Sequence, residues 1–153
     1  MSTPQTRTRA VLKAKSILAG LPDEALDDLV RRARLVRYAK GETIYNRGDP
    51  GDSLMVVLAG RIKISNVSAN AREVVLNFLV EGDLAGELGA LDGRERSADA
   101  VALEPTEGLA IYRRDILALL EAHPKALLGL VTTLTGKLRD MSAMVEHGLL
   151  QMA

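Results

Sequence analysis

The spacing of apolar positions changes three times along the chain. Residues 6–33 follow a helical period interrupted ahead of Pro22. Ile17, Leu18 and Leu21 come before the break, and Leu26, Leu29, Val30 and Ala33 form one stripe after it. Pro22 suits a first helical turn. The acids Asp23, Glu24, Asp27 and Asp28 follow it early, and Arg31, Arg32 and Arg34 come late, an order that complements the helix dipole. The segment reads as N-terminal helices.

From Leu35 to Tyr112 the period falls towards two and glycines punctuate it. "ETIY" leads into the turn cluster "NRGDPGD" (Asn46–Asp52), and "SLMVVLAG" reads as a strand buried on both faces. "RIKIS" places Ile62 and Ile64 on one face. After the reversal at "SANA", "REVVLNFL" places Val74, Leu76 and Phe78 on one face, and "ADAVALE" and "EGLAIY" complete the set. Short strands with frequent turn signals predict an antiparallel sandwich or roll.

After Tyr112 the helical period returns. Residues 113–122 form a short helix with Ile116, Leu117, Leu119 and Leu120. Pro124 then opens a long one, 124–151. Along it Leu127, Val131, Leu134, Leu138, Met141, Val145, Gly148 and Met152 recur at alternating four- and three-residue steps. That is the a/d spacing of a two-stranded seam, so the long helix is expected to dimerise the protein, with Gly148 its weak point. The fold class is therefore mainly β with flanking helices: an antiparallel β-roll, jelly-roll-like, with N-terminal helices and a long C-terminal dimerisation helix.

With 153 residues and 47% apolar content, one domain (1–153) with a single core is expected. Aromatics are only 3%, so the core is aliphatic and base stacking on aromatic platforms is disfavoured. Twenty Lys plus Arg balance twenty Asp plus Glu, which gives no overall pull towards nucleic acid or anionic membrane. The absence of cysteine excludes disulfides, Cys-ligated zinc, iron–sulfur clusters and a thiol nucleophile. The apolar run Leu54–Ala59 is far too short to span a bilayer, and the first ten residues lack an apolar signal core. A cytoplasmic protein is expected.

Candidate chemistry lies in "GELGALDGRERSA", residues 86–98. Gly86 would admit close approach to the backbone, and a short helix from Glu87 would aim the amides of Leu88 and Gly89 at an anion. Arg96 adds a fork suited to phosphate oxygens and Ser97 a hydroxyl. A carboxylate at Glu87 would repel phosphate but could accept from a sugar hydroxyl. The set asks for a ligand with both groups; the competing possibility is a surface ion pair between Glu87 and Arg96.

"KGETIYNRGDPGDSLMVVLAGRIKI", then "GDLAGELGALDGRERSADAVA", then a terminal long helix, resembles the cyclic nucleotide-binding domain. More closely, it is similar to the sensor half of catabolite-activator and FNR-type bacterial regulators. The resemblance covers roughly residues 14–150. It implies an eight-stranded β-roll with a phosphate-binding cassette at 86–98. Arg96, Ser97, Gly86 and the Leu88 amide would hold the cyclic phosphate, and Glu87 would hold the ribose. Met141 and Ser142 stand where that branch meets the base; Ser142 fits, while Met141 removes a polar contact. Ser97 in place of threonine leans towards cAMP over cGMP.

The FNR branch needs cluster cysteines, which are lacking. His123, at a helix junction, and His147, beside Gly148, read as surface or capping residues, so no metal or haem is expected. Two distant histidines cannot build a cupin metal site, and no Ser-His-Asp set is readable, so no enzyme is expected. No cofactor is expected beyond a cyclic nucleotide effector. No basic helix pair follows the long helix, so the chain is expected to be either the sensor part of a regulator that would reach DNA only through a helix-turn-helix domain missing here, or a stand-alone sensor. The alternative is a dimerisation module with a vestigial cassette that binds another effector or none.

Overall fold

The computed structural model describes residues 4–14 and 18–152. Ile17 lies outside them, and the side chains of His147 and Met152 are likewise outside what is described. Helices α1 (Pro4–Ala14) and α2 (Asp23–Arg32) lead into strands β1 (Arg34–Tyr38), β2 (Thr43–Tyr45), β3 (Ser53–Ala59), β4 (Ile62–Val67), β5 (Glu73–Leu79) and β6 (Leu84–Ala85). Then come the short helix α3 (Glu87–Asp92), strands β7 (Asp99–Ala102) and β8 (Thr106–Tyr112), and helices α4 (Arg113–Ala122) and α5 (Pro124–Met152). All strand pairs are antiparallel. They form two four-stranded sheets, ordered β1-β8-β3-β6 and β2-β7-β4-β5. This is the jelly-roll-like arrangement with flanking helices expected from the strand pattern.

β3 shows why its sequence lacks polar alternation. Leu54, Val56 and Leu58 face a core built with α1, α2, α4 and the start of α5, while Met55 and Val57 face a second core between the sheets. Both faces are buried, so every position from Leu54 to Leu58 is apolar. The helical core takes Leu12, Leu26, Ile116 and Leu130, all essentially inaccessible to solvent. α1 is tied to α2 by a bidentate Arg9–Asp27 pair (2.6 Å to each oxygen) and by Lys13–Asp23.

One strand departs from the expected alternation. In β5, Val74 and Phe78 are solvent-exposed, and Leu79 is the residue buried between the sheets. The cause is a bulge. Ile64 pairs with Asn77 and Ser65 with Val75, so Leu76 is an extra residue that shifts the phase of the strand. Arg61 covers the exposed Phe78 ring, 4.7 Å from its centroid.

The β4–β5 hairpin closes through Ser68 N–H to Arg72 O (2.7 Å) and Ala71 N–H to Ser68 O (2.9 Å). Ala71 there has φ of 61°, the left-handed region, the sole non-glycine residue so placed among the described residues. Ala71→Gly is expected to raise stability by about 0.5–1 kcal/mol, since relief of the Cβ clash exceeds the entropy glycine adds to the unfolded chain. Urea melts of the two proteins measure it; a destabilised variant would contradict it.

α5 has two different faces. Ala126 and Leu130 are buried in the helical core and Leu134 packs partly against it. Leu127, Val131, Leu138, Met141 and Val145 expose between 47% and 67% of their surface. Leu134, of intermediate exposure, is shared between the expected seam and the protomer's own core. The four-residue steps from Ala126 through Leu130 carry it onto the face that meets the protomer's own core.

Candidate effector site at the cassette

The chain leaves β6 and turns into α3 through Gly86, whose φ of 75° is left-handed. A side chain is excluded there twice over, by that conformation and because a Cβ would lie 2.2 Å from Arg96 Nη1. The sequence reading reserved Gly86 for close approach of a ligand; in the structure the group that approaches it is the Arg96 guanidinium. α3 has no side-chain N-cap, and the first amides of a helix lack intrahelical acceptors, so those of Leu88 and Gly89 begin the cassette uncommitted to the helix.

Arg96 is locked from both ends. Its backbone N–H donates to Asp49 O (2.7 Å) and its carbonyl accepts from Gly48 N–H (2.9 Å). The turn cluster at Asn46–Asp52 is therefore the seat of the arginine. Gly51 permits this approach: a Cβ there would sit 2.6 Å from Arg94 O. The guanidinium donates through Nη1 to Ser53 O (2.7 Å) and Gly86 O (3.0 Å), and through Nη2 to Ser53 Oγ (3.3 Å). It also lies over the Tyr45 ring, 4.6 Å from the centroid.

A guanidinium carries five N–H donors, so these three bonds leave one on Nη2 and the one on Nε, which is buried without an acceptor. Asn66 Oδ1 and Arg113 Nε are likewise buried without a partner among the described residues, but of the three residues only Arg96 lines the cassette cavity, where its guanidinium suits an anion. Burial pushes the Tyr45 phenol up to about 12, against the lowering effect of the Arg96 charge, so the ring stays neutral beneath the cation.

Glu87 is 7% exposed, and its Oε1 accepts from Lys137 Nζ at 2.7 Å. The same ammonium donates to Leu84 O at 3.1 Å. Oε2 accepts no hydrogen bond among the described residues, which leaves it free to accept one from a hydroxyl. Lys137 neutralises the acid that sits next to the anion fork, so carboxylate and guanidinium can share one cavity. The sequence alternative of a surface ion pair between Glu87 and Arg96 does not occur; each has other partners.

Gly86, Glu87, Leu88, Arg96 and Ser97 all line one cavity of about 160 Å³. Tyr45, Ile64, Leu76 and Leu79 give it apolar walls, and α5 contributes Lys137, Asp140 and Met141. A profile of the cyclic nucleotide-binding domain matches residues 35–123, more than half of the chain. The chain belongs to the cyclic nucleotide-binding domain family.

A cyclic AMP receptor protein from Thermus thermophilus is 35% identical over 129 residues, which cover 84% of this chain and 60% of that protein. The crystal structure of the Thermus thermophilus catabolite activator protein superposes with a TM-score of 0.75 at 36% identity, covering 88% of this chain and 62% of that one. The N-terminal domain of a transcriptional regulator from Streptomyces coelicolor A3(2) superposes with a TM-score of 0.69 at 31% identity, covering 88% of this chain and 94% of that one. This cyclic nucleotide-binding domain thus spans about three fifths of the length of the curated relatives it matches.

Two positions expected to meet the base separate in space. Met141 lines the cavity, whereas Ser142 is exposed and does not. Lys137, Asp140 and Met141 stand at i, i+3 and i+4 and share a helix face; Ser142, one residue on, is rotated about 100° away. His123 caps α4, its N–H donating to Leu119 O at 2.9 Å.

Sequence reasoning missed Tyr45, Ser53, Lys137 and Asp140. For the last two a signal existed: polar residues at helical spacing with Met141, on the flank of the apolar seam. For Tyr45 and Ser53 no local signal exists, because Tyr45 meets Arg96 through the pairing of β2 with β7 and Ser53 reaches it from the other sheet.

Proposed function

We propose that this domain is the effector-sensing part of a Crp/Fnr-type transcription regulator and binds a 3′,5′-cyclic nucleotide. The arrangement of Arg96 supports the reading most directly. Its guanidinium is anchored on Ser53 and Gly86, one buried N–H is left without an acceptor, and it opens on the same cavity as Glu87. In this reading Arg96, Ser97 and the amides at Gly86–Leu88 hold the cyclic phosphate, and Glu87 Oε2 accepts the ribose hydroxyl. Such a domain acts by binding, in the cytoplasm, and catalyses no reaction.

The Lys137–Glu87 bond joins cassette to α5, so a ligand that engages Glu87 acts directly on the helix that carries the exposed seam. A nucleotide shifts the population only by its difference in affinity between two settings of that helix. Two copies would pair along α5, and DNA would be met by a helix-turn-helix region other than these residues. Ser97 supplies the expectation of cAMP, and the name of the Thermus relative agrees with it.

Thermal melts with cyclic nucleotide at ~100 times its dissociation constant are expected to show about 2.7 kcal/mol of stabilisation. For a chain of this size that is a rise of roughly 5–11 °C in Tm. No shift with either cAMP or cGMP would overturn the reading. That result would favour the alternative of a dimerisation module that binds another effector or none, in which Lys137 already occupies Glu87.

A further inference from the structure

The Tyr45 ring lies under Arg96, 4.6 Å from the guanidinium carbon to the ring centroid, and the residue lines the same cavity as the cassette. Resting on the nucleotide-sensor reading, we propose that the Tyr45 hydroxyl is a further ligand contact, donating a hydrogen bond to an exocyclic oxygen of the cyclic phosphate.

Its placement comes from an irregularity in β2. Thr43 pairs with Val101 and Tyr45 with Ala100, so β2 carries one extra residue between them. Such a bulge re-aims a side chain. Ile44 and Tyr45 both pack against the core between the sheets, although neighbours in a regular strand face opposite sides. Opposite the ring the chain is small, with Ala98 and Ala100 both buried. The rest of that core, Val57, Ile62 and Leu79, is aliphatic, and the whole chain holds only three tyrosines and one phenylalanine. An aliphatic side chain would fill the space as well, so packing does not call for a phenol here.

The chemistry of the site does call for one. Burial dominates the titration of Tyr45, followed by Arg96, Glu87 and the main chain of Gly86, so the phenol keeps its proton up to about 12 among the residues that grip phosphate and ribose. The main chain of Gly86 favours the phenolate, as an N–H directed at the oxygen does. An oxygen approached by one donor turns its own proton elsewhere. No acceptor among the described residues takes that proton, and Glu87 Oε1 is committed to Lys137. A neutral donor without an acceptor, seated beside a cation, suits an oxygen of the anion that the cation holds.

Calorimetric titration of the wild type and Tyr45→Phe tests this. The ligands are cAMP, cGMP and the two diastereomers of each cyclic phosphorothioate, in which sulfur replaces one or the other exocyclic oxygen. Phenylalanine keeps the ring under Arg96 and removes only the hydroxyl, so the melting curve of the variant is expected to match the wild type. The variant is expected to bind cAMP and cGMP about 10- to 100-fold more weakly, the worth of one hydrogen bond to a charged group. It is expected to show the same loss for one diastereomer. The other, whose sulfur is a weak acceptor and already faces Tyr45 in the wild type, is expected to bind both proteins alike. Binding of the cyclic nucleotides by Tyr45→Phe within twofold of wild type, or an equal loss for both diastereomers, overturns the hydroxyl contact and leaves the sensor reading standing. Failure of every ligand to bind the wild type overturns both.

Discussion

Arg96→Ala is expected to weaken cyclic nucleotide binding by about two to four orders of magnitude. The fork has two N–H groups left after Ser53 and Gly86 are served, and charge-assisted bonds to phosphate are worth roughly 1.5–3 kcal/mol each. Two of them sum to about 3–6 kcal/mol, and a factor of ten corresponds to about 1.4 kcal/mol. Stability falls too. Ser53 O and Gly86 O lose their donor, at about 1–3 kcal/mol for a buried group left unpaired, and the Tyr45 ring loses its cation. Calorimetry is therefore to be run well below the midpoint of the variant's own melt. Arg96→Lys separates the two effects, since it keeps the charge and loses the planar fork. The lysine variant is expected to bind about 10- to 100-fold more weakly than wild type, at the cost of roughly one charge-assisted bond. Binding by Arg96→Ala within threefold of wild type would show that the phosphate is held elsewhere.

Leu138→Asp is expected to convert a dimer to monomers without unfolding either copy. Leu138 is 67% exposed on α5, so the isolated protomer tolerates aspartate there with little change in stability. At a two-fold seam the same residue is buried twice. Each copy then loses the burial of a leucine, about 1.5–3 kcal/mol, and must in addition desolvate a carboxylate. The sum, about 3–6 kcal/mol or more, weakens pairing by at least about 100-fold. Leu134, which the heptad spacing equally suggests, is the wrong probe because it packs against its own core and its loss would destabilise the protomer. Sedimentation velocity reads the outcome. A wild type that is monomeric at high concentration, or a variant that stays dimeric, would remove the seam.

The two kinds of periodicity separated strand from helix well. β3 reads as a strand buried on both faces, and it is; its apolar run is the local imprint of two cores. α3 begins at Glu87, a start that was legible because helix-start chemistry acts over a few residues, whereas the left-handed turn at Gly86 was seen only in the structure. β6, only two residues long, left no pattern to detect. The β5 face was misassigned because a bulge inserts one residue without a compositional mark.

The amino-acid sequence by itself determined the longer strands and the helices, and that Gly86, Glu87, Arg96 and Ser97 stand within one short stretch of chain. Tertiary structure alone decided what each of those side chains touches. Arg96 is clamped by Ser53, Asp49 and Gly48, residues 43 to 48 positions earlier, and Glu87 is neutralised by a lysine 50 positions later. Local propensity acts over a few residues of chain. The partners of a buried charge are set by which surfaces the two cores bring together, and no local pattern records that choice.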